Sequence, residues 1–225
     1  MEFTVGGLRM NAFKPGNTTV IICAAGMGTR LGIGTTKALV DVDGAPLIIR
    51  QLDLLKDYDD IRIVVGFQAK KIIKAVKEYR KDIVFVFNYE YEATGVADSL
   101  RKGLFASREC IISLDGDVLV NPDDFSRFLS TDQECLGITP ISSAEPIKAL
   151  VEDGMVKRLS KSEGDMQWPG IVKVRRDKLN GVSSHVYDIL NGVMPLKAFI
   201  IRAREIDTQE DYELAVEWYE KGGEE

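Results

Sequence analysis

The sequence predicts an α/β protein: a Rossmann-like, mostly parallel sheet flanked by helices, with a small mixed-sheet insert in its second half. Three observations carry that expectation. Short, continuously apolar runs recur at 18–23, 61–65, 83–87, 110–114 and 135–139, the pattern of parallel strands covered on both faces. Segments with helical spacing separate them. A glycine-rich turn follows the first run directly, at the place where an open α/β sheet binds its ligand.

Taken in order, residues 1–17 read as an N-terminal extension, with Met10 an alternative start, and 18–221 as a single domain. Pro46 at a first helical position opens a helix over 46–56, with Ile48, Leu52 and Leu55 on one face. The second helix, 68–79, interleaves Ile72, Ile73, Val76 and Tyr79 with Lys70, Lys71, Lys74 and Lys77, so its basic residues form a solvated face. Further helices are expected over 96–106 and 123–129. After Pro140 the rhythm changes. Runs at 147–151 and 156–160 flank Asp153-Gly154, which predicts a hairpin. A strand over 170–174, a short helix over 185–190 and a strand over 196–201 follow. Thr208 with Asp211 three residues on forms a capping box for a last helix, whose apolar face is Leu214, Ala215 and Trp218.

Composition narrows the function. The chain of 225 residues is 45% hydrophobic and 28% charged, which excludes a disordered or fibrous protein. No apolar run approaches the ~18–20 residues of a membrane span, and the N-terminal stretch has no apolar core of a secretory signal. Cys23 and Cys110 sit in apolar runs, so the three cysteines read as reduced, buried thiols of a cytoplasmic protein. The net charge is −6, but the residues from Arg204 onward carry −7, which leaves the body at +1. No basic stripe argues for nucleic acid. Few Asn and Gln beside many Lys and Glu point to a thermophilic source.

The turn Ala24-Ala25-Gly26-Met27-Gly28-Thr29-Arg30-Leu31-Gly32 carries the chemistry. Small residues let the backbone approach a ligand, and such a nest of N–H groups favours anions. Its spacing, G-x-G-x-x-x-G, departs from the dinucleotide fingerprint, and it is no Walker A loop. Arg30 and Lys37 add two cations, a fork and a point charge suited to a triphosphate. A hydrolase triad has no supporting motif, and the single histidine, His185, reads as a surface or capping residue.

This segment, with Lys37 in Thr36-Lys37-Ala38-Leu39-Val40, resembles the signature of the nucleotidyltransferases that make activated sugars and alcohols. Three further elements fall in family order: Asn88 with Gly95-Val96-Ala97-Asp98-Ser99, Asp115-Gly116-Asp117 ending a strand, and Glu205-Ile206-Asp207-Thr208 before the last helix. The ending is most similar to cytidylyltransferases acting on phosphorylated small alcohols such as inositol-1-phosphate and phosphocholine. The loop between Arg30 and Lys37 is short and lacks the proline that usually precedes the lysine.

The resemblance implies a nucleotide half, 18–140, and an acceptor half, 141–221. It implies nucleotide binding by Ala24, Ala25, Gly26, Gly28, Thr29, Asn88, Gly95 and Ser99, and catalysis by Arg30 and Lys37. Asp117 and Asp207 would hold Mg2+, with Asp115 a turn cap or outer support. Trp168, Gly170 and Lys173 would meet the acceptor, although core packing is an equal reading of Trp168. CTP and a phosphorylated alcohol, inositol-1-phosphate first, are the expected substrates. A homodimer and a fused or separate membrane CDP-alcohol transferase are the expected partners. A dinucleotide oxidoreductase and a silent nucleotide-binding regulator are the rival classes. The first lacks its loop spacing, and the second would lose Lys37 or an aspartate.

Overall fold

The computed structural model describes residues 12–32 and 34–223. β1 (Thr18–Ala24) is buried at every position. Val20, Ile22 and Ala24 join one core cluster, whereas Ile21 and Cys23 join another on the opposite face. That alternation is the two-residue period of a strand, and covering both faces demands an unbroken apolar run.

A small ribbon, β2 (Asp41–Val42) with β3 (Ala45–Pro46), leads into α1 (Leu47–Asp53). Pro46 therefore stands at the N-cap rather than at the first helical position. β4 (Ile61–Val65), α2 (Ala69–Tyr79), β5 (Val84–Phe87), α3 (Val96–Gly103) and β6 (Cys110–Asp115) follow. β1 pairs in parallel with β4 on one side and β6 on the other, and β4 pairs with β5. α1 and α2 cover one face through Ile48, Leu52, Ile72 and Val76, while α3 covers the other through Ala97 and Leu100. β5 departs from the expected two-sided burial. It is the sheet edge, with Val84 and Phe87 exposed.

The chain continues through β7 (Val118–Val120), α4 (Pro122–Ser130), β8 (Cys135–Ile138), β9 (Lys148–Glu152), β10 (Met155–Ser160), β11 (Met166–Gln167) and β12 (Val172–Arg175). It ends with α5 (Val186–Asn191), β13 (Leu196–Ile200), β14 (Ala203–Glu205) and α6 (Gln209–Glu220). One ten-stranded sheet results, in the order β11-β9-β10-β13-β8-β12-β6-β1-β4-β5. β10, β11 and β12 run against the other seven strands. The mixed strands expected after residue 140 thus extend the main sheet. The β9–β10 hairpin turns at Asp153 and Gly154, both with positive φ, as a tight hairpin requires.

Two features place the site. Chain order reverses at β1, so a crevice opens at the carboxyl ends of β1 and β6. Outside the main sheet, β14 pairs antiparallel with β7, Glu205 opposite Val118, and Ile206 N–H donates to the Asp117 carbonyl at 2.9 Å. α6 begins at its expected capping box: Thr208 Oγ1 accepts from Asp211 N–H at 3.1 Å, and the Asp211 carboxylate accepts from Thr208 N–H at 2.8 Å. Ala215 and Trp218 of α6 pack on Leu31, Val42, Leu119 and Ile206, while Leu214, expected on that face, is exposed. The three cysteines are free and buried, and among the described residues no helix is long and apolar enough to cross a membrane.

One expected site residue is structural. Lys173 on β12 is completely buried, and its ammonium donates to the carbonyls of Phe128, Leu129 (3.0 Å) and Thr131 (2.8 Å) at the end of α4. It also lies 5.0 Å from the Phe128 ring centroid. Burial pulls its pKa down to about 8, which leaves it charged at neutral pH. It caps a helix C-terminus, where a cation meets the negative end of the dipole. The assignment of Lys173 to the acceptor phosphate is therefore corrected. Lys173→Met should strand these carbonyls and lower stability by ~1–3 kcal/mol in urea denaturation, the usual cost of unpaired buried polar groups. A loss below ~0.5 kcal/mol, the size of a neutral surface change, would mean the cap is dispensable.

Candidate active site

The turn after β1 is held open by its glycines. Gly28 and Gly32 adopt φ of 59° and 72°, flanking a short 3-10 turn over Thr29–Leu31. A Cβ on Gly28 would press to 2.9 Å on Lys37 Cγ, so a side chain there would displace the lysine as well as strain the backbone. Ala24, Gly26, Gly28, Thr29, Arg30 and Lys37 line a cavity of about 280 Å³, together with Thr36, Val96, Gly116 and Asp117. Gly116 explains how β1 and β6 close on each other here: a Cβ on it would stand 2.9 Å from that of Ala24.

Lys37 is the centre of the charge arrangement. Its ammonium donates to Asp117 at 2.9 Å and to Asp207, from segments 80 and 170 residues away. Arg30 pairs with Asp207 at 3.2 Å and with exposed Glu145 at 2.9 Å. Burial alone would lower the Lys37 pKa, but Asp117 and Asp207 outweigh it and raise it above the ordinary value. Asp207 takes no part in capping α6, since Thr208 and Asp211 do that.

Two further acids stand close by. Burial, reinforced by Asp117, pushes the Asp115 carboxyl well above the usual range. Burial, with Asp117 and Asp207, lifts Glu205 to about 8, although Gln167 donates to it. Four carboxyl groups thus face two cations, Lys37 and Arg30. Burial favours the protonated form of Asp115 and Glu205, which leaves Asp117 and Asp207, the two paired with the cations, as the carboxyl groups a divalent cation would meet.

The remaining expected residues are placed elsewhere. Ala25 is buried beside the cavity, and its carbonyl accepts from Phe67 N–H at 3.0 Å. Asn88 and Ser99 turn toward each other: the Asn88 amide donates to Ser99 Oγ at 3.1 Å and to Thr94 Oγ1 at 2.9 Å. Gly95 is the N-cap of α3, and a Cβ on it would collide with the Ser184 carbonyl at 2.2 Å. These three brace the 88–99 segment, while its neighbour Val96 lines the cavity. Trp168 is core, with its indole N–H donating to the Ile171 carbonyl at 2.9 Å. Gly170, at φ 76°, makes way for Asp115, whose Oδ2 a Cβ would approach to 2.3 Å. Trp168 as a wall for the acceptor and Gly170 as its approach are corrected accordingly. Sequence reasoning missed Thr36, Val96 and Glu205. Each lies inside a quoted motif, beside Lys37, beside Gly95 and two residues before Asp207 respectively, which was the signal available.

The MobA-like NTP transferase domain matches residues 20–177. The bifunctional protein GlmU of Aliarcobacter butzleri is 27% identical over 147 residues, 64% of this chain and 34% of that protein. The chain therefore spans about a third of the length of that curated relative. The inositol-1-phosphate CTP transferase from T. maritima superposes with a TM-score of 0.77 at 20% identity, covering 92% of this chain and 96% of that one. CTP:phosphocholine cytidylyltransferase from Streptococcus pneumoniae gives 0.74 at 23% identity, covering 90% and 99%. At these identities the two structures establish the fold. With the domain match covering most of its length, the chain belongs to the MobA-like NTP transferase family and is a nucleotidyltransferase.

Proposed function

We propose that the protein is a magnesium-dependent cytidylyltransferase that joins CTP to a phosphorylated small alcohol, L-myo-inositol-1-phosphate first, with release of pyrophosphate. The observation that carries the reading is the Lys37 ammonium shared by Asp117 and Asp207 at the mouth of the phosphate-loop cavity. The preference for CTP and a phosphorylated alcohol is supported by the overall fold, which two cytidylyltransferases share over almost the whole chain.

The donor set suits magnesium. Among the described residues no group of three or more ligating side chains exists. Mg2+ needs only one or two carboxylates when phosphate and water oxygens complete its octahedron. Asp117 and Asp207 would hold it. Bound there, it would offset charge on the α-phosphate.

An oxygen of the acceptor phosphate attacks the α-phosphorus of CTP. The new P–O bond forms as the bond to the bridging oxygen of the β-phosphate breaks, and pyrophosphate departs with that electron pair. The attacking phosphate is already ionised at neutral pH, so no general base is required, and exposed His185 is not needed. Catalysis reduces to positioning and charge neutralisation. N–H groups of the Gly26–Gly28 turn and the Arg30 fork would hold the outer phosphates, while Lys37 would neutralise charge where it develops. Residues 18–140 would serve the nucleotide and 141–221 the acceptor. Buried, reduced cysteines suit a cytoplasmic setting, from which the CDP-alcohol would pass to a membrane CDP-alcohol transferase.

The primary test is a screen of acceptors with CTP and magnesium, reading pyrophosphate release and comparing kcat/KM for the four nucleotides. CTP with a polyol phosphate should lead. A clear UTP or GTP preference would make it a sugar-nucleotide enzyme instead.

Lys37→Ala should lose ~10²–10³-fold in kcat, the usual cost of one preorganised electrostatic group, with KM for CTP little changed. If KM rises and kcat holds, Lys37 is a ground-state binder.

Asp117→Ala and Asp207→Ala should each abolish magnesium-dependent turnover, and the double variant should lose little more than either single one. Because Asp207 caps no helix, its alanine variant should stay folded, with a modest fall in melting temperature from the less compensated Lys37 and with turnover lost. A lowered melting temperature with intact turnover would remove Asp207 from the metal site.

A further inference from the structure

Gln51 lies on α1, between core residues Ile48 and Leu52, and is only 1% exposed. Its amide nitrogen donates to the Asp115 carbonyl and to the Val118 carbonyl, each at 2.8 Å. Those carbonyls bracket Gly116-Asp117. Gln51 Oε1, by contrast, is buried with no partner. A buried amide with an orphaned oxygen is a worse core residue than a methionine or leucine of similar volume. Packing therefore does not account for glutamine here, whereas two N–H donors on one nitrogen, aimed at two carbonyls, do. The backbone of the turn is also held by bonds from Gly116 N–H to the Cys23 carbonyl and from Ile206 N–H to the Asp117 carbonyl, both 2.9 Å. Gln51 adds a side-chain clamp from α1.

We propose that Gln51 is the residue that positions Asp117 as a metal ligand, by fixing the two carbonyls on either side of Gly116-Asp117. It touches neither substrate nor metal, and acts through the direction it gives the Asp117 side chain. The inference rests on the magnesium reading of Asp117 and Asp207.

The test compares Gln51→Met, which removes both donors at nearly constant volume, with Gln51→Glu, which sets an acceptor against the two carbonyls. Leu52→Ala is the control, since Leu52 is equally buried on the same helix. Three quantities are measured: the Mn2+ dissociation constant of the protein with CTP bound and no acceptor, by electron paramagnetic resonance, the melting temperature, and kcat and KM for CTP. Gln51→Met should weaken Mn2+ binding ~10-fold, at the lower end for an outer partner of a metal ligand, and Gln51→Glu further. kcat should fall with the metal affinity while KM for CTP moves little. Leu52→Ala should lower the melting temperature and leave Mn2+ binding within about twofold of wild type, since it opens a cavity but keeps the hydrogen bonds to the Asp115 and Val118 carbonyls. Unchanged Mn2+ binding in Gln51→Met, or equal weakening in Leu52→Ala, would overturn the proposal while leaving the magnesium reading intact. A wild-type protein that binds no Mn2+ overturns both.

Discussion

Lys37, Asp117 and Asp207 are each mostly buried, and none could sit where it does alone. A charge withdrawn from water is costly unless it is paired, so the position of each of the three is a condition for the others. Lys37 arrives on the loop after β1, Asp117 at the end of β6, and Asp207 just after β14. The ion cluster therefore demands that three segments meet at one point, and most of the architecture near the crevice serves that meeting. Gly116 removes the side chain that would keep β6 from β1. The β7–β14 ladder carries Asp207 to Asp117. Gly28 leaves room for the lysine stem.

The same arrangement sets the electrostatics. With Asp115 and Glu205 included, acids outnumber cations, and the two more deeply placed acids respond by holding their protons more tightly. Asp117 and Asp207 keep company with Lys37 and Arg30 instead. Depth thus sorts four chemically similar carboxyl groups into two kinds. The outer pair faces Lys37 and Arg30, and of the inner pair Glu205 accepts from Gln167 and Ser143. In the proposed reaction an incoming triphosphate would bring oxygens that compete with the outer pair for Lys37, and a metal ion would satisfy the carboxylates released.

Much of the fold was legible in the sequence, because strands buried on two faces need unbroken apolar runs. β1, β4 and β6 stood out for that reason, and the phosphate loop stood out because its glycines follow β1 directly. β7 and β14 were illegible: three residues each, they are defined by pairing across 80 residues, which no local pattern encodes. Lys173 misled because a lysine on a strand usually points to water. Here its neighbour across the core is the C-terminal end of α4, whose carbonyls give a buried ammonium the partners it needs. Trp168 and Asn88 misled differently, since aromatic and amide side chains suit ligands and core brackets equally well. Gln51 escaped notice because one polar residue in an amphipathic helix leaves the apolar period intact.

The β7–β14 ladder also fixes when the site comes into being. All ten strands of the main sheet precede Ala203 in the chain, so the sheet can be complete while Asp207 is still unplaced. On a ribosome, the phosphate loop, Lys37 and Asp117 would emerge and fold with only one of the two carboxylates for the lysine. The last short strand, added in register against β7, supplies the other. A chain caught before that moment would have the scaffold and the loop, and an ammonium missing one of its counter-ions. The main sheet is thus finished before the chemistry, which arrives with the last short strand and the helix that closes a third core cluster.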